Sequence, residues 1–91
     1  MEGIKYNDSW TPCQKALYWD KQGDWDRAHQ IVQEINTSDA AWVHAYLHRK
    51  EGDKWNANYW YSRANKTFFN NSLEEEWDLL WNFFQQQNAV D

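Results

Sequence analysis

The chain has 91 residues and a net charge of −5, from nine Lys and Arg against fourteen Asp and Glu. That length suits one domain around one core, and with no basic cluster to track a phosphate backbone, nucleic acid is excluded as a partner. The longest apolar run, Ala40 to Val43, is far too short for a membrane span, and the lone Cys13 builds neither an internal disulfide nor a cysteine-rich zinc site.

A mean hydropathy of −1.08 would suit a disordered chain. Eight Trp, five Tyr and four Phe argue against that, because disordered segments are poor in aromatics. Each such ring brings roughly 150–250 Å² of buriable surface, so an aromatic core is expected. Met1 to Trp10 has no apolar segment of the signal-peptide kind. A cytoplasmic location is expected, and the Asn-x-Ser/Thr triplets at Asn7, Asn36, Asn65 and Asn70 then carry no glycosylation meaning.

Caps and periodicity predict five helices. Thr11-Pro12-Cys13-Gln14 opens the first, with Thr11 as N-cap and Gln14 completing a capping box. It runs to about Gln22 and stops at Gly23. Asp24 caps the second, which carries Trp25, Ala28, Val32 and Ile35 on one stripe. Asn36-Thr37-Ser38 is a break, with Ser38 as a cap. The third helix spans about Asp39 to Glu51, with Ala40, Val43 and Leu47 facing one way, and ends at Gly52. Asp53 opens the fourth, whose face holds Ala57, Trp60, Tyr61 and Ala64. Asn58 to Ser62 is β-prone, but packing is expected to override that preference. Residues 65–71 form a connector with Phe68 and Phe69 packing inward. Ser72 and Glu75 make a second capping box, and Glu74, Glu75 and Glu76 sit where a helix dipole favours negative charge. Leu73, Trp77, Leu80, Trp81 and Phe84 then form an apolar stripe. The tail from Gln85 to Asp91 is expected to fray.

Shifted by 29 residues, the sequence partly matches itself. Ala16, Lys21, Gly23, Asp24 and Ala28 fall on Ala45, Lys50, Gly52, Asp53 and Ala57. Small residues let two helices approach, Gly ends one helix in a left-handed turn, and Asp caps the next. The pattern Ala-x6-Gly-Asp-x3-Ala resembles the core of a tetratricopeptide (TPR) repeat over about residues 10–66. The offset differs from the familiar 34, and no Pro closes the repeat. The resemblance implies an all-α single domain over 1–91. Two TPR-like antiparallel hairpins would occupy about 11–36 and 39–65, and a C-terminal amphipathic capping helix about 72–88. The strings Trp25-Asp26-Arg27-Ala28-His29 and His44 to Asp53 are also similar to a group of short bacterial proteins, which implies a bacterial cytosolic protein and no particular chemistry.

Two candidate sites follow. In tetratricopeptide arrays the first helix of each hairpin lines a concave face. Carried over, that face holds Trp42, Tyr46 and Arg49 from the second unit and Cys13, Leu17 and Asp20 from the first. Aromatics with Arg are the composition of binding hot spots, and Arg49 could pair with a carboxylate of a peptide or small ligand. Equally, the fifth helix could fill this groove. The other candidate is His44 with His48, four apart on one helix face, joined by His29 as a third metal ligand. The zinc-protease motif fails here, because Ala45 stands where its Glu belongs. Packing and hydrogen bonding explain the same histidines. Trp55 and Tyr59, off the main stripe, could make a partner patch or a buried seam.

No phosphate loop, nucleophile elbow, calcium loop or Cys–His–Asn set is present in the sequence. No catalytic residue and no cofactor is therefore assigned. The function expected is a TPR-like protein–protein interaction or scaffold module, binding a protein or peptide or its own copy. The alternative is a small metal- or ligand-binding protein, or an enzyme, centred on His29, His44 and His48.

Overall fold

A computed structural model describes residues 5–89. Five helices and no strand occur among them: α1 (Pro12–Lys21), α2 (Trp25–Gln33), α3 (Ser38–Glu51), α4 (Lys54–Arg63) and α5 (Leu73–Ala89). The class is all-α, as expected.

Local chemistry sets the boundaries. Thr11 Oγ1 accepts from the Gln14 N–H, and the Thr11 N–H donates to Gln14 Oε1 at 3.1 Å. Ser72 and Glu75 exchange the same pair of bonds, both at 3.0 Å. Asp24 and Asp53 accept from the N–H groups of Arg27 and Asn56. The break before α3 differs by one residue from expectation. Thr37, not Ser38, is the N-cap, because its extended backbone aims Oγ1 at the Ala40 N–H, while Ser38 is already helical. At the far end, α5 continues through Ala89 where fraying was expected; Val90 and Asp91 lie outside the described residues.

The two glycine turns share one geometry. Gly23 and Gly52 have φ of +89° and +90°. In each, the following Asp N–H reaches back to a carbonyl inside the helix, Asp24 to Trp19 and Asp53 to His48, both at 2.9 Å. This closure satisfies carbonyls that the helix end would otherwise orphan. Asn65, at φ +63°, ends α4 in the same left-handed region.

The tight turns fold α1 back on α2 and α3 back on α4, while α2 packs on α3 and α5 lies against α1 and α3. Ala16, Ala28, Ala45 and Ala57 are fully buried, which lets the paired helices approach closely. The α5 stripe is buried as expected at Trp77, Leu80, Trp81 and Phe84. Two indoles also tie elements together by hydrogen bonds. Trp77 Nε1 donates to the Leu17 carbonyl at 3.0 Å and Trp25 Nε1 to the Leu47 carbonyl at 2.8 Å. Phe68 and Phe69 are half-buried against Tyr61. By contrast Trp55 and Tyr59, at 75% and 45% exposure, face solvent.

Candidate metal centre

The groove residues and the histidines lie in two different places. Trp42, Tyr46 and Asp20 are buried, and Arg49 is nearly so. Their polar atoms are committed within the chain. Trp42 Nε1 donates to Glu76 Oε2 at 3.1 Å, Arg49 Nη1 donates to Glu76 Oε1 at 2.7 Å, and Arg49 Nη2 donates to the Asn71 carbonyl. The Tyr61 hydroxyl also donates to Glu76, at 2.6 Å to the nearer oxygen. Asp20 accepts from the Tyr46 hydroxyl at 2.9 Å and from Lys50 Nζ at 2.8 Å. Burial, then the Asp20 carboxylate, pushes the Tyr46 hydroxyl well above its ordinary value. Helix α5 therefore covers most of this face, and its own Glu76 supplies the carboxylate that Arg49 was expected to take from a ligand.

Glu76 escaped sequence reading because it sits in an acidic run at a helix start. A signal was available. Glu76 falls on the stripe of Leu73, Trp77 and Leu80, and a carboxylate on an apolar stripe needs a buried partner. Cys13 is buried, and burial with the Asp39 charge pushes its thiol up to about 12, so it stays protonated.

The three histidines converge. His29 comes from α2, and His44 and His48 from α3, so the cluster spans the junction of the two hairpins. One ligand-capable nitrogen from each lies within 4.8 Å of the others. The Nε2 atoms of His29 and His44 are 3.0 Å apart. At the ordinary zinc–nitrogen distance of about 2.0–2.1 Å, tetrahedral ligand nitrogens sit roughly 3.3 Å apart. The first pair is close to this spacing, and the His48 nitrogen lies within 4.8 Å of both.

Aromatic neighbours set the ring planes. His44 stacks on Trp60 with centroids 3.9 Å apart, and His29 stacks on Trp25 at 4.9 Å. His48 Nδ1 lies 2.7 Å from Glu51 Oε2. A carboxylate accepting from Nδ1–H fixes the tautomer and leaves Nε2 with a free lone pair, the usual outer support of a metal-binding histidine. Glu51 and Asp53 also approach His48 closely enough to form a second ligand-type group. The Asp53 carboxylate, however, is engaged as the α4 cap by the Asn56 backbone and side chain.

Electrostatics keep His29 and His44 neutral. Burial, then the neighbouring His29 and His48, lowers the His44 imidazole from 6.5 to about 3. Burial, then His48, lowers His29 as well. Near neutral pH both rings are therefore in the form that ligates metals. No protein-family model, curated protein or solved structure matches this chain.

Proposed function

We propose that this protein binds a late first-row divalent metal ion, with zinc as the reference case, through His29, His44 and His48. The convergence of three imidazoles, one ligand-capable nitrogen from each within 4.8 Å of the others, carries the reading. An all-imidazole set suits zinc, nickel and copper over calcium or magnesium. In the metal-free state the Nε2–H of one of the two neutral rings, His29 or His44, lies between them; for both Nε2 atoms to face the ion, that ring carries its proton on Nδ1 instead. Three protein ligands leave a fourth position for water. Because His29 belongs to the first hairpin and His44 and His48 to the second, the ion braces one against the other. The test is calorimetric titration of chelator-treated protein with zinc. One ion per chain is expected, lost in His29→Gln and in His48→Gln. Absence of binding in the wild type would falsify the proposal.

A second reading keeps the scaffold function expected from the sequence, a TPR-like module in a bacterial cytoplasm. It is supported by the outer face of α4, where the exposed Trp55 ring stacks on Tyr59, with Arg63 against Tyr59. Exposed apolar surface of this kind marks interaction sites. Light scattering and lysate capture, with Trp55→Ala beside wild type, test it. Equal association by both proteins would remove this face from consideration.

A further inference from the structure

Helix α5 does not fill the whole face between α1 and α3. At the end bordered by Asp20 and Tyr46 a cavity of about 270 Å³ remains, walled by Leu73 and Trp77 of α5. It is distinct from the histidine cluster, and none of the three histidines lines it. We propose that this cavity binds a small zwitterion with an apolar body, of the class of free α-amino acids with aliphatic or aromatic side chains.

Charge and shape carry the assignment. Asp20 is neutralised within the chain, since its oxygens accept from Lys50 and Tyr46. Lys50 is still 38% exposed, so its ammonium retains donors for a second acceptor. Lys21 also lines the cavity, and its ammonium rests over the Trp77 ring at 4.2 Å with no carboxylate partner among the described residues. The Lys21 ammonium thus awaits an anion, and Lys50, already paired with Asp20, can add a hydrogen bond to it. Glu74 lines the same cavity, exposed and without an ion-pair partner among the described residues. A simple carboxylate is repelled by Glu74, and a simple amine is repelled by Lys21. A ligand carrying both charges meets both, while Trp77 and Leu73 receive its apolar part. The volume lies just under the usual range of about 300–1,000 Å³ for small-molecule pockets, which limits the ligand to about the size of one amino acid.

The test uses L-leucine and L-phenylalanine against metal-free protein, read by calorimetry and ligand-observed NMR. N-acetyl-phenylalanine lacks the ammonium and phenylalanine amide lacks the carboxylate. Each is expected to bind about tenfold more weakly than phenylalanine, the loss of one charge-assisted contact. Lys21→Gln should weaken both amino acids by a similar factor. Glu74→Gln should weaken the free amino acid but not its N-acetyl form, a reversal that a nonspecific apolar slot would not produce. Both positions are exposed, and an unchanged melting curve checks that each variant folds. Absence of binding by both amino acids, or equal binding of phenylalanine and its N-acetyl form, overturns the proposal.

Discussion

Arg49 on α3 and Glu76 on α5 face each other at 2.7 Å, one 13% exposed and the other fully buried. The same carboxylate takes hydrogen bonds from Trp42 and Tyr61, so three elements meet at one buried charge. Removing one partner of such a pair leaves an uncompensated charge in the core and costs about 3–5 kcal/mol. Arg49→Ala is expected to lose stability of that order, measured by denaturant unfolding. The double variant Arg49→Ala/Glu76→Ala should lose less than the sum of the two single variants. Strict additivity would mean that the pair is not coupled.

The Asp20–Tyr46 contact is a smaller instance of the same physics. Tyr46→Phe leaves the ring packing but removes one donor from a buried carboxylate. An expected loss of about 1–3 kcal/mol follows from a buried acceptor left short of a partner. Thermal unfolding beside wild type measures it. A change within experimental scatter would mean that Lys50 alone satisfies Asp20.

The histidine cluster gives stability a sign with pH. In the unfolded chain an imidazole takes up a proton as pH falls through about 6.5. In the folded chain His44 resists protonation down to about 3, chiefly through burial, and His29 is lowered in the same direction. The unfolded state therefore holds more protons in this window, and stability falls as pH drops from about 6.5 toward 3. Unfolding midpoints across that range should show a shallower slope in His44→Gln than in wild type. An identical slope would remove the cluster from the pH response.

Metal should act on the same equilibrium from the other side. Zinc at about 100 times its dissociation constant is expected to add about 2.7 kcal/mol to wild-type stability. That gain should shrink as pH is lowered, because protons compete for the imidazoles. It should disappear in His48→Gln. A melting shift that survives this substitution would place the ion elsewhere.

Gly52 is a backbone requirement with open space around it. A Cβ there meets nothing within 4 Å, yet φ is +90°. Gly52→Ala is therefore expected to cost about 1–2 kcal/mol through the left-handed conformation alone. Gly52→Asn should cost less, since Asn tolerates that region. Trp55→Ala, on an exposed face, should stay within about 0.5 kcal/mol of wild type. Chemical denaturation of the three variants side by side separates backbone cost from packing cost.

The sequence by itself determined the five helices and most of their ends. The Thr11–Gln14 and Ser72–Glu75 boxes, the aspartate caps and the two glycine turns act over three or four residues, so neighbours in the chain carry all the information. The helical periodicity likewise marked Trp77, Leu80 and Phe84 as a buried stripe. Only the tertiary structure decided what the facing helices do with their polar groups. Glu76 lies 27 residues from Arg49 and 34 from Trp42, and no local spacing says that an acidic residue in a helix's first turn will be drawn into the core by them. The histidine triad was half legible. The four-residue spacing of His44 and His48 put both on one face of α3, while the meeting with His29 required α2 and α3 to pack across the Thr37 cap. Periodicity reports which face of a helix is buried; what that face meets depends on how the helices pack, and there the Arg49 donors found a carboxylate within their own chain.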